Sequence, residues 1–160
     1  MKGTITCPQC GAEVPQRRNP FPTVDCLIRR ETGGGAPGVV LIRRKNPPEG
    51  WAIPGGFVDY GESVEDAVRR EMKEETNLDL EELEQFHVYS EPDRDPRFHT
   101  ICTVFLARGV GELRAGDDAG DARVFPLDDL PPAAELAFDH HEILTDYIAW
   151  RAGAEVAPLE

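Results

Sequence analysis

The sequence is poor in basic side chains: 17 Lys and Arg stand against 30 Asp and Glu, for a formal net charge of -13. Such a balance repels a phosphate backbone or an anionic membrane surface, so no nucleic acid and no membrane is expected as the main partner. If the substrate is itself anionic, divalent cations and a few placed arginines must offset that repulsion locally. Long apolar runs are missing too. No stretch approaches a membrane span, and the opening MKGTITCPQCGAEVPQ lacks the apolar segment of a secretory signal, so a soluble cytoplasmic protein is expected. Cysteine is scarce, with four in 160 residues. Cys7 and Cys10 form a CxxC, which offers two of the four ligands that a structural zinc site needs; Cys26 and Cys102 fall in apolar runs and read as core residues. Free thiols rather than zinc are therefore expected at Cys7 and Cys10, because a four-thiolate site would require the same arm from a second copy in a homodimer. Internal repeats and low-complexity tracts are absent as well.

What remains is the composition of one ordinary domain, with 40% hydrophobic residues available for a core. Residues 1–20 read as an N-terminal arm, 21–152 as the domain and 153–160 as a C-terminal tail. TVDCLIRR and PGVVLIRRK are β-branched runs separated by ETGGGAPG, the pattern of a hairpin with a flexible loop. NPPEGWAIPGG reads as a loop. EQFHVYS and HTICTVFLARG read as strands divided by the polar loop EPDRDPRF. Asp139 is placed to cap a C-terminal helix in which Ile143, Leu144, Tyr147 and Ile148 recur at helical spacing. Strands and helices mix without strict alternation, which predicts an α/β class fold, a compact sandwich around a mixed sheet.

The stretch GESVEDAVRREMKEETNL carries the chemistry. Ser63 followed by Asp66 makes a capping-box-like start, and the spacing predicts a helix over about 63 to 76. At about 100° per residue Val64, Ala67 and Val68 share one face, and Glu71 and Glu75 continue that line with Glu74 beside it. The apolar stripe turns acidic halfway along. Carboxylates are least welcome at a helix C-terminus, where the backbone is itself partially negative. Arg69, Arg70 and Lys73 are expected on other faces, so pairing within the helix does not account for them. One reading is a solvated, charge-laced helix. The other, which the stripe favours, is a set of hard oxygen ligands for Mg²⁺ or Mn²⁺ that water and substrate phosphate complete.

Gly56, Glu62, Arg70, Glu71, Met72, Glu74, Glu75 and Leu78 stand at the spacing of the Nudix box, and residues 56–78 resemble that motif closely. Asn77 stands where the family has glycine, a mild departure at a position that needs a left-handed backbone. The resemblance implies a Nudix-type α/β/α sandwich and hydrolysis of a nucleoside diphosphate linked to another group X. It implies that Glu71, Glu74 and Glu75 hold the cations with the carbonyl of Gly55, that Glu62 and Arg70 orient the helix, and that the partner is a small-molecule nucleotide.

The flanking segments RRNPFPTVDCLI, SEPDRDPRFHT and LAFDHHEIL resemble bacterial and archaeal ADP-ribose pyrophosphatases over roughly residues 17–148. In PDRDPRFH the family usually has glycine at the position of Phe98. Arg94, Arg97 and His99 are candidate donors to phosphate or ribose; the plain alternative is a solvated loop in which both arginines pair with Asp93 and Asp95. Phe57 or Phe98 is a candidate to stack on adenine, against a simple packing role. Asp118, in the acidic loop, is the chosen extra carboxylate or base, with Asp117 and Asp121 as competitors and Glu71 or Glu74 as alternatives within the helix. The function expected is a Mg²⁺-dependent hydrolase splitting ADP-ribose into AMP and ribose 5-phosphate. The alternatives are an NADH or nucleoside triphosphate pyrophosphatase, or a sensor that binds ADP-ribose without cutting it. Sensors of that kind usually add a DNA-binding domain and carry a degraded box, whereas one domain with all three glutamates is expected here.

Overall fold

Alternation along the central strands decides the layering. In the computed structural model, which describes residues 2–17, 19–116 and 119–155, the elements run β1 Lys2–Thr6, β2 Glu13–Arg17, β3 Phe21–Glu31, β4 Pro37–Arg44, β5 Gly50–Ala52, β6 Gly55–Phe57, α1 Val64–Thr76, β7 Asp79–Tyr89, β8 Thr100–Val110, β9 Ala119–Pro126 and α2 His140–Arg151. Val24, Cys26 and Ile28 of β3 face one side of the sheet with Val40, Phe105 and Ala107, and pack on Ala67, Val68 and Met72 of α1. Leu27, Val39, Leu41, Val104 and Leu106 face the other side and pack on Ile143, Leu144 and Tyr147 of α2. A strand buried on both faces must be apolar at consecutive positions, as β3 and β4 are. The result is the predicted α/β/α sandwich.

The sheet has the path β5-β4-β3-β8-β7, with β6 attached to β3 and β9 to β4. Its centre is parallel, β3 against β8 from Phe21↔Thr100 to Arg29↔Arg108, and the remaining pairs are antiparallel. The segment 46–56 is more than the loop its Pro and Gly content suggested: β5 and β6 pair with β4 and β3 through backbone groups, which composition hides. The glycine-rich connection after β3 is closed by Gly35 N–H to Thr32 O at 2.9 Å and Thr32 N–H to Ala36 O at 2.8 Å, with Gly35 at φ 82°. β7 begins five residues before the strand predicted from EQFHVYS.

The arm forms a hairpin of its own, with β1 and β2 paired from Lys2↔Arg17 to Thr6↔Glu13. Cys7 and Cys10 stand in its turn and form no disulfide. Backbone N–H groups of Gln9 and Cys10 lower the Cys7 thiol pKa below its ordinary value. Cys7→Ser is expected to shift the melting temperature by no more than about 2 °C, as for a surface substitution. Near-stoichiometric zinc in metal analysis, together with a larger loss, would overturn the expectation of free thiols. Among the described residues no helix is long and apolar enough to cross a membrane.

Candidate active site

The loop and helix of residues 55–77 are built as a rigid unit. Ser63 caps α1, its Oγ accepting Asp66 N–H at 3.1 Å and donating to Asp66 Oδ2 at 2.8 Å. Asn77 ends the helix at φ 60°, ψ 10°, and its N–H reaches Lys73 O, as a left-handed C-terminal residue should. The exposed carbonyls at this end are met from outside: Arg114 N–H donates to Thr76 O at 3.0 Å and Gly116 N–H to Glu75 O at 2.9 Å. Those donors offset part of the negative end of the helix and so help to tolerate acids in its last turns.

Glu75 is the most confined of the three. Its Oε2 accepts Gly55 N–H at 2.9 Å. Burial, opposed by that one hydrogen bond and reinforced by the nearby charges of Glu71 and Asp25, pushes its carboxyl up to about 8. Glu71 is half-buried and also raised, by burial first, with Arg70 acting against the shift and Glu74 and Glu62 adding to it. Glu74 is largely exposed. Gly56 is required because a Cβ there would overlap the Glu71 carboxylate, and Gly55 because one would overlap Asp25 and the Val24 carbonyl.

Arg70 differs from its expected place. Rather than pointing away, its guanidinium bridges Glu62 at 2.9 Å, Glu71 at 2.7 Å and Glu74 at 3.4 Å, and donates to Phe57 O at 3.0 Å. A long arginine can reach back along the helix where a projection of Cα positions puts it on another face. This clamp ties Glu62 and the strand end at Phe57 to the helix. It also draws on Glu71 and Glu74, and among the described residues no three His, Cys, Asp or Glu side chains form a ready-made metal-binding group. Even so, the donor set suits a hard cation: Glu71 and Glu75 are two partly buried carboxylates with raised pKa, Glu71 paired with Arg70 and Glu75 held by the neutral Gly55 N–H.

Beyond the glycines lies a narrow cleft lined by Asp25, Arg94, Asp95, Arg97, Phe138 and His140. Arg94, expected as a donor at the site mouth, stands in the wall of this cleft. It is nearly buried, and donates to Asp139 at 2.8 and 2.7 Å and to Thr100 at 3.1 Å. Asp139 stands at the N-cap position of α2 as expected, its carbonyl accepting Glu142 N–H at 2.8 Å, but with its carboxylate on Arg94 it makes no side-chain capping bond. Nor does Arg94 pair with Asp93 or Asp95; Asp95, itself buried, is held by Arg97 instead. Arg97 is held by Asp95 at 2.8 and 3.0 Å and lies over the rings of Phe98 and Phe138, each 5.1 Å from its Cζ. It remains more than a third exposed. His99 is exposed, with Nε2 3.2 Å from Ser90 O. Phe57, Phe21 and Phe98 form an exposed aromatic trio with centroids 5.1 to 6.0 Å apart.

Asp118 and Asp117 lie outside the described residues. Asp121, the third acidic-loop candidate, is engaged by Arg123 at 2.6 Å and by Ala122 N–H at 2.8 Å.

Sequence reasoning missed Asp25, His140 and Arg44. Asp25 is buried and accepts from the Cys102 thiol at 3.0 Å, with His140 Nε2 at 3.5 Å. His140 Nδ1 accepts Ile53 N–H at 2.9 Å, which leaves the ring proton on Nε2, facing Asp25. Arg44 stacks 4.8 Å over Phe138 and donates to Pro48 O at 2.9 Å, and its charge opposes the upward shift of Glu75. An acid inside the apolar run TVDCLI was the available signal for Asp25.

The NUDIX domain family model matches residues 19–147. An ADP-ribose pyrophosphatase of Methanocaldococcus jannaschii is 48% identical over 138 residues, covering 84% of this chain and 77% of that protein. A NAD-capped RNA hydrolase, NudC, of Pseudomonas aeruginosa is 33% identical over 155 residues; the alignment takes in 94% of this chain but 51% of that protein, so the chain spans about half its length. Among solved structures, the NUDIX domain of Shewanella oneidensis NrtR complexed with ADP ribose superposes with a TM-score of 0.74 at 26% identity, covering 84% of this chain and 90% of that one.

Proposed function

We propose that this chain, which belongs to the Nudix family, hydrolyses the pyrophosphate bond of ADP-ribose to give AMP and ribose 5-phosphate. The observation that carries the reading is the partly buried pair Glu71 and Glu75, both with raised pKa, against Gly55 and Gly56, in a chain 48% identical to an archaeal ADP-ribose pyrophosphatase. Glu71, Glu74 and Glu75, with the Gly55 carbonyl, hold Mg²⁺, or Mn²⁺ in its place. When bound, the cation supplies positive charge against the pyrophosphate oxygens as negative charge develops there. Arg70, locked to Glu62, keeps α1 in register with the glycine loop. Glu71, Glu74 or Asp118 takes the proton of the attacking water. For Asp118 the support is its place two residues after Gly116, whose N–H rests on the backbone of Glu75.

Arg97 and His99 face the anionic part of the substrate, and Phe57 or Phe98, whose rings are inclined at 54° to each other, offers a face to the base. Arg97→Ala is expected to lower kcat/KM for ADP-ribose by about 1.5 to 3 kcal/mol, the worth of a charged hydrogen bond, with a smaller loss on a poor substrate lacking the terminal sugar. Equal losses on both would reduce Arg97 to a general attractor of anions.

A second reading is hydrolysis of NADH; the alignment with a NAD-capped RNA hydrolase over 94% of the chain favours a substrate that contains NAD. A screen over ADP-ribose, NADH, dinucleoside polyphosphates and nucleoside triphosphates with Mg²⁺ decides between them. Preference for ADP-ribose is expected. Preference for NADH or a triphosphate would replace the substrate but keep the chemistry, whereas tight ADP-ribose binding without turnover would make the chain a sensor.

A further inference from the structure

We infer that His140 is a positioning residue for the cation: from the start of α2 its ring fixes residues 53–55, and with them the point at which Gly55 meets the metal. The inference rests on the reading above, in which Glu71, Glu74, Glu75 and the Gly55 carbonyl hold the ion. Residues 53 and 54 lie between β5 and β6 and belong to neither strand, so their backbone groups need partners from elsewhere. Contacts from two other elements hold the segment. Cys26 N–H of β3 donates to Pro54 O at 3.0 Å, Gly55 pairs with Asp25 in the ladder, and Ile53 N–H donates to His140 Nδ1 at 2.9 Å.

The histidine is brought in by the chain just before it. Leu136 bridges to Trp51, and Ala137 N–H donates to Trp51 O at 2.8 Å. Two residues further along, at Ile53, the partner is a side chain instead, the buried His140 ring. Its other nitrogen, Nε2, lies 3.5 Å from Asp25 Oδ2, and Asp25 is the residue against which Gly55 packs so closely that a Cβ there would overlap Asp25 Oδ1. One ring therefore meets both the N–H ahead of the glycine and the carboxylate behind it. Satisfying a single buried N–H would need an acceptor and no second nitrogen. Gly55 in turn donates to Glu75 Oε2 at 2.9 Å, so a shift of the loop moves that carboxylate's donor and the Gly55 carbonyl together. Outer partners that orient metal ligands are worth roughly 10- to 100-fold in metal affinity.

The test is Mn²⁺ binding to the full chain at one fixed pH without substrate, read from the free-ion signal in electron paramagnetic resonance, so that no turnover enters. The unsubstituted protein should bind Mn²⁺ saturably, and His140→Leu should weaken that binding about tenfold or more. His140→Asn, whose Oδ1 stands on Cγ as Nδ1 does and can accept Ile53 N–H, should recover most of the affinity. Leu106→Ala, which opens a cavity in the core on the α2 side of the sheet, should lower the urea midpoint and leave the affinity unchanged. His140→Phe, a ring without the acceptor, should be as weak as the leucine variant and replaces it if that variant does not fold. Unchanged affinity in His140→Leu, or an equal loss in Leu106→Ala, would overturn the positioning role. An asparagine variant as weak as the leucine one would overturn the Ile53 contact as its route. Should neither His140→Leu nor His140→Phe fold, the contact is structural and the inference falls. No saturable binding to the unsubstituted protein would instead sink the metal reading itself, which keeps the two failures apart.

Discussion

Replacing Glu75 by glutamine is expected to lower hydrolysis at saturating Mg²⁺ by at least about a hundredfold while making the metal-free protein more stable. The two effects share one cause. Glu75 is partly buried near the charges of Glu71 and Asp25 with a single backbone donor, so its ionised form is costly until a cation arrives. Glutamine keeps the volume and can still accept Gly55 N–H, but it removes the charge the cation needs. The pH dependence follows from the direction of the shift. Below the ordinary carboxyl value of 4.5 the group is protonated whether the chain is folded or not, and no penalty arises. Between there and about 8 the folded chain keeps a proton that the unfolded chain has released, so stability falls as pH rises. The stabilisation of Glu75→Gln over the unsubstituted protein should therefore be small near pH 5 and grow to on the order of 3 to 5 kcal/mol by pH 8. Urea midpoints in EDTA at the two pH values measure it. An equal difference at both would mean that Glu75 carries no such burden, and near-normal turnover of the variant would remove it from the metal site.

The Glu75 helix is also where sequence and structure agree best, for a physical reason. Its cap at Ser63, its left-handed end at Asn77 and its apolar stripe are all local, set by neighbours within a few residues. The layering was legible for the same reason, since residues that alternate along β3 and β8 must go to opposite faces. What escaped was decided across the fold. Asp139 holds the N-cap position because it precedes a helical run, yet its carboxylate binds Arg94, which the chain order gives no reason to expect. Arg70 was placed on an outer face by Cα geometry, while its long side chain returns to three glutamates. β5 and β6 are three residues each, held by backbone pairing that side-chain pattern does not encode. The network of Asp25, His140 and Cys102 joins three separate elements, and only the oddity of one acid within TVDCLI announced it.

Arg94→Met is expected to destabilise the protein by about 3 to 5 kcal/mol, the largest loss of stability for a single substitution near the site. The guanidinium is 5% exposed and neutralises Asp139, 12% exposed, through two hydrogen bonds, with Asp25 a further 4.0 Å away. Methionine fills much of the stem's volume, so the loss measures charge rather than a cavity: it strands Asp139, weakens the balance of Asp25 and leaves Thr100 without its donor. Asp139→Leu combined with Arg94→Met should recover much of that stability, because an apolar pair of similar size avoids the desolvation of both ions. Denaturant midpoints with an unchanged slope give the comparison. If Arg94 instead served mainly as a substrate donor, the single variant would keep its midpoint and lose only kcat/KM. If the double variant recovers stability and still hydrolyses ADP-ribose, Arg94 acts by building the wall of the cleft. Recovery of stability without recovery of kcat/KM would return it to the list of groups that meet the substrate.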